Sequence, residues 1–158
     1  MAEIEVKDVP AMTVMSLAFT GPYDQTGDRL DQLMSWLLRI GHPYSAPPMG
    51  VYYDDPAKTA SEDLRAEVCL PIEEECEPAE EFDRKELPAA TMACALHKGP
   101  YTGIAGLYEE IFAWIGENGY QYVEGQPTRE LFINLPGQTL DPEEYLTEVQ
   151  VPVEKTAE

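Results

Sequence analysis

Two glutamates, Glu67 and Glu148, each open a short run that ends at or just past a proline, EVCLPI at 67–72 and EVQVPV at 148–153. If both runs are strands, alternation puts Val68, Leu70, Val149 and Val151 on one side and the two glutamates on the other. Periodicity alone reads that second side as solvent. A carboxylate set instead in a cleft among rings has its ionised form disfavoured, so its pKa rises unless a cation compensates. Such a group selects cations.

The rings are present. Nine tyrosines and two tryptophans include Trp36, Tyr52, Tyr53, Trp114, Tyr120, Tyr122 and Tyr145, with Phe132 beside them. Aromatic faces stack on flat ligands and attract cations. For Trp36 and Trp114, on apolar helix faces, core packing is the plainer reading.

Other chemistry has little material. The two histidines, His42 and His97, have no Cys, Asp or Glu at ligand spacing beside them, so no metal site is expected. His97 reads first as a strand-end side chain, with a polar role in the cleft as the sharper alternative. Gly-x-Ser-x-Gly, a phosphate-binding glycine loop and a dinucleotide fingerprint are all missing, and no cofactor is expected. Cys69, Cys76 and Cys94 are odd in number and lack Cys-x-x-Cys spacing, which fits a reducing compartment better than a disulfide framework. The start, MAEIEVKDVP, lacks a basic segment and an apolar h-region, so the expected location is cytoplasmic. No run reaches the roughly 18 to 20 apolar residues of a membrane span.

Thirty acidic residues against ten basic ones give a net charge of -20. This opposes direct binding to nucleic-acid phosphates. It suits solubility or salt adaptation, and allows attraction of cationic ligands or mimicry of DNA.

The elements that must position these groups are written twice. KDVPAMTVMSLAFTGPY at 7–23 aligns without a gap on KELPAATMACALHKGPY at 85–101, and seven of the seventeen positions are identical. The register continues through Trp36 on Trp114 and Gly41 on Gly119. YYDDP (52–56) then meets FINLP (132–136), and EVCLPI meets EVQVPV. Each copy predicts a strand (12–19, 90–97), a Gly-Pro-Tyr junction and a helix. Proline is expected in the helix's first turn and glycine at its end. Two short strands follow, 49–54 and 64–71 or 130–135 and 145–152. The order is β-α-β-β in repeats of about 1–72 and 84–153, joined by an acidic linker at 73–83 within a single domain spanning 1–158. The fold class is α+β, and a half of about 75 residues buries little surface alone. The two sheets are expected to form a central ligand cleft, with the helices packed on the outer side.

With KGPY followed by LYEEIFAWIGENGY, the terminal YLTEVQVPV and the doubled pattern, the chain resembles the GyrI-like small-molecule-binding domains, which also serve as effector-binding domains of AraC- and MerR-type multidrug regulators. The resemblance covers almost the whole chain, in a standalone form without a helix-turn-helix. It implies a cleft for lipophilic, often cationic and aromatic compounds. The family's acidic residue falls on Glu148, with Trp114, Tyr120, Phe132 and Tyr145 as lining. Tyr52 and Glu67 join the candidate ligand set through the internal repeat. Among standalone relatives, the resemblance also implies two alternatives. One is hydrolysis of cyclopropane-bearing genotoxins with Glu148 as general base; the other is a protein partner, gyrase.

Overall fold

The computed structural model describes residues 3–45, 47–79, 81–134 and 141–156. The expected strand end at Leu135 lies outside them. The chain forms two compact units, one of 1–10 with 89–158 and the other of 11–88.

In the 11–88 unit the strands are β2 (Met12–Thr20), β3 (Met49–Tyr52), β4 (Arg65–Pro71) and β5 (Phe82–Leu87). Antiparallel pairing orders them β3-β4-β2-β5. Helix α1 (Thr26–Ile40) covers one face, bringing Leu30, Leu33, Trp36 and Leu37 onto the sheet at helical spacing. Met15, Leu17, Val68 and Leu70 receive them and are at most 2% exposed. Trp36 stacks on Phe82 at 4.6 Å and 10°, which makes it core. Gly41 closes α1 in the left-handed region (φ 71°), its N–H reaching Leu37 and Leu38 carbonyls.

The other unit repeats the plan with β1 (Glu5–Val9), β6 (Ala90–Lys98), β7 (Tyr120–Tyr122), β8 (Thr128–Phe132) and β9 (Leu146–Lys155). The antiparallel order is β1-β6-β9-β8, and β7 pairs with the end of β9. Helix α2 (Ile104–Glu117) places Ile104, Leu107, Ile111 and Ile115 against Ala93, Ala95, Val149, Val151 and Val153.

Two features depart from the β-α-β-β expectation. Each repeat has an extra leading strand, and that strand pairs in the unit built by the other repeat: β1 on β6, and β5 on β2. Part of the expected linker, from Phe82 on, is therefore strand. Each leading strand is an outer strand of its unit's ladder, and EVKDV and FDRKEL are charged as outer strands commonly are. Proline also sits one step earlier than expected. Pro22 and Pro100 have extended backbones (ψ 140° and 150°) and each precedes a single 3-10 turn, Tyr23–Gln25 or Tyr101–Gly103, from which the α-helix grows. The fixed φ of proline sets the last extended residue, not the first helical one.

Candidate ligand site

The Gly-Pro-Tyr junction of the 89–158 unit presents Tyr101. Gly99 turns the chain at φ 123°, a conformation that suits glycine, and donates its N–H to the Tyr145 carbonyl at 2.8 Å. In the other unit Gly21 (φ 125°) donates likewise to the Leu64 carbonyl. Both turns are also tied at the proline carbonyl, by different residues. Gln25 Nε2 donates to Pro22 O at 3.3 Å, whereas His97 Nε2 donates to Pro100 O at 2.8 Å. The position equivalent to Gln25 is Gly103, where an added Cβ would come within 2.6 Å of the His97 ring. The sequence thus exchanges Phe19 with Gln25 for His97 with Gly103, and the tie survives.

Three rings gather at this turn. Tyr101 stacks on Tyr145 with centroids 5.1 Å apart at 26°, and meets Phe132 edge-on at 6.0 Å. Tyr101 remains 38% exposed while Phe132 is buried. On β8, Glu130 lies two residues before Phe132 and so shares its face. The register sets Glu130 opposite Val149, which belongs to the core under α2. Tyr108, on α2, donates its hydroxyl to Glu130 Oε2 at 2.8 Å.

Burial lifts the Glu130 carboxyl to about 7, against the lowering effect of the Tyr108 bond. Burial also raises Tyr101, with further contributions from Tyr145 and from the Glu130 charge. Glu130 has no ion-pair partner among the described residues. This carboxylate therefore stands at the threshold of ionisation beside half-open rings. A bound cation would tip it into the charged form.

Glu148 and Glu67 occupy the sheet faces turned away from the helices, as alternation predicts, yet neither is on a solvent face. Their side chains are 17% and 7% exposed. Each is matched by a lysine from the leading strand of its unit: Lys7 Nζ lies 3.4 Å from Glu148, and Lys85 Nζ lies 2.9 Å from Glu67. Gln150 Nε2 donates to Glu148 at 2.6 Å, and the Tyr53 hydroxyl to Glu67 at 3.0 Å. Burial and then the Glu148 charge push the Cys94 thiol up to about 12, which disfavours the thiolate. Lys7 and Lys85 are themselves equivalent in the repeat, and the paired ammonium is as much a repeated feature as the glutamate.

Within the 89–158 unit the candidates named from sequence fall into separate groups. Phe132 and Tyr145 come together, with Tyr101 between them. Trp114 and Tyr120 stack on each other at 5.9 Å, packed against the α2 core. Glu148 is on the opposite face of their sheet, while Tyr52 and Glu67 belong to the 11–88 unit. Glu130, Tyr101 and Tyr108 went unrecognised in the sequence. The signal available was the alternation in TRELF, which gives a glutamate the same face as Phe132. Among the described residues no three His, Cys, Asp or Glu side chains gather to hold a metal, and no helix is long and apolar enough to cross a membrane.

Known proteins resemble this chain in sequence or in fold. A DNA gyrase inhibitor 2 from Dickeya dadantii is 30% identical over 120 residues, covering 73% of this chain and 76% of that protein. The C-terminal domain of EcmrR superposes with a TM-score of 0.84 at 24% identity, covering 99% of both chains. Against EcmrR in its DNA complex the TM-score is 0.86 at 22% identity, and the chain spans 58% of that longer protein. SAV2435 bound to tetraphenylphosphonium matches with a TM-score of 0.58 at 14% identity, over 96% of this chain and 94% of that one. The family model described as a GyrI-like small molecule binding domain matches residues 2–154, so the chain belongs to the GyrI-like small-molecule-binding domain family.

Proposed function

We propose that this protein binds lipophilic, aromatic, often cationic compounds in the cytoplasm, with the ligand's rings against Tyr101, Tyr145 and Phe132 and its charge facing Glu130. The observation that carries this reading is the Glu130 carboxyl, bonded by the Tyr108 hydroxyl on the face it shares with Phe132, raised by burial and lacking an ion-pair partner among the described residues. Glu148, the carboxylate favoured by the family resemblance, has Lys7 and Gln150 as partners, and a ligand cation would have to compete with both. SAV2435 binding tetraphenylphosphonium supports the ligand class by analogy of fold.

Calorimetric titration with tetraphenylphosphonium at about pH 8 tests this reading. Glu130→Gln is expected to weaken binding by about tenfold or more, the scale of losing one charge contact in a partly dry site. Glu148→Gln is expected to change it less than about threefold. The reverse order would return the charge-recognition role to Glu148.

A second reading, a gyrase-directed inhibitor, is favoured by the Dickeya dadantii relative and the net charge of -20. A supercoiling assay with excess protein decides it, since unimpeded supercoiling rejects that role.

A further inference from the structure

The duplication supplies a second copy of the aromatic site in the 11–88 unit, and the strand registers show what became of it. Gly50 pairs with Val68 as Glu130 pairs with Val149, and Tyr52 pairs with Ala66 as Phe132 pairs with Thr147. The glycine N–H bonds match Leu64 with Tyr145. The repeat register matches Tyr23 with Tyr101 and Leu30 with Tyr108. The carboxylate, its tyrosine partner and the stacking tyrosine of one unit are thus glycine and two leucines in the other.

The vacated space is filled from within. A Cβ at Gly50 would run into the Tyr52 hydroxyl and lie 2.7 Å from its Cζ, so the Tyr52 ring lies folded over the glycine. That ring rests on Tyr23 with centroids 4.7 Å apart at 56°. Its hydroxyl is 3.1 Å from Thr26 Oγ1, which itself donates to the Tyr23 carbonyl at 2.7 Å. Leu30, Tyr52 and Leu64 are 5%, 9% and 4% exposed, whereas Tyr101 is open.

We infer that Tyr52 is the resident occupant of the second site: the 11–88 unit keeps a cradle for a phenol, formed by Tyr23, Thr26, Leu30 and Leu64 around Gly50, and closes it with its own side chain. The chain then offers one working site for aryl cations and one latent site for uncharged phenols. The count of one working site rests on the reading of Glu130 and Tyr101 given above; the latent phenol site does not.

The test has two arms. Wild-type protein is titrated with tetraphenylphosphonium and followed by amide chemical shifts, with one equivalent expected and no shifts at Tyr23, Thr26 or Gly50. A second equivalent that moves those amides overturns the inference. In the other arm Tyr52→Ala and the milder Tyr52→Val, each checked for folding by circular dichroism, are titrated with p-cresol and with toluene. Both are expected to gain a saturable p-cresol site that wild type lacks. Adding Thr26→Val is expected to weaken p-cresol about fivefold relative to toluene, the worth of about one neutral hydrogen bond. A folded variant that takes up no p-cresol, or that binds it without regard to Thr26, refutes the latent site. Should neither variant fold even with p-cresol present, the claim that the ligand can replace the side chain fails too. Loss of tetraphenylphosphonium binding in wild type would sink the Glu130 reading alone, because the p-cresol arm does not involve that unit.

Discussion

Replacing Glu130 by glutamine should stabilise this protein, and by an amount that depends on pH. The carboxyl moves from an ordinary 4.5 to about 7 on folding because burial penalises its ionised form. An acid whose folded pKa is raised costs nothing below its unfolded value. The penalty grows as pH climbs from about 4.5 to about 7 and is complete above that. The full displacement corresponds to about 3 kcal/mol, and partial contact with water reduces the expectation to about 2 kcal/mol. Glutamine keeps an oxygen for the Tyr108 hydroxyl and carries no charge. For a chain of this size about 2 kcal/mol raises Tm by about 4 to 8 °C. Thermal melts of wild type and Glu130→Gln between about pH 4 and pH 8 measure it. The gap should be near zero at the acid end and widest at the basic end. A variant no more stable than wild type at about pH 8, or a gap that ignores pH, would refute the claim that this carboxylate is held against its preference.

Other consequences can be checked on the same protein. His97→Phe alone should loosen the Tyr101 turn and weaken tetraphenylphosphonium binding several-fold, and Gly103→Gln alone should clash with the His97 ring. The pair together imports the arrangement of the other repeat and should restore binding, with a coupling of about 1 to 2 kcal/mol by double-mutant cycle. Lys85→Met leaves the 7%-exposed Glu67 charge without its ammonium and should cost about 3 kcal/mol in urea unfolding. Lys7→Met, acting on a longer pair with a more exposed glutamate, should cost about 1 kcal/mol. Adding Glu67→Gln to Lys85→Met should recover most of the larger loss, and equal costs for the two lysines would contradict the burial argument.

The long strands, the helices and the glycine turns were legible because each has a local cause. Met12–Thr20 and Ala90–Lys98 are apolar runs of strand length, α1 and α2 carry helical spacing, and Gly21 and Gly99 stand where φ must be positive. The leading strands were not legible. EVKDV and FDRKEL lack a clean apolar alternation because each is paired on one side within its unit, and nothing local says that each joins the opposite repeat. The site was half legible for a related reason. Phe132 and Tyr145 stood out as aromatics, whereas Glu130 in TRELF looks like any exposed strand glutamate until Tyr108, twenty-two residues earlier, is found against it. Alternation places Glu148 and Glu67 each on the face of its own unit's sheet turned away from the helix, but the lysines that pair with them come from the two strands the sequence hid.

In the proposed site Glu130 supplies the charge that recognises a cationic ligand. The affinity of wild-type protein for tetraphenylphosphonium as a function of pH tests it most directly, because the ligand's own charge does not titrate. With a free carboxyl near 7, binding should weaken about tenfold from about pH 8 to about pH 6, and Glu130→Gln should be weak and flat across the range. A wild-type affinity that is flat over this interval, or a pH dependence that survives in Glu130→Gln, would contradict it.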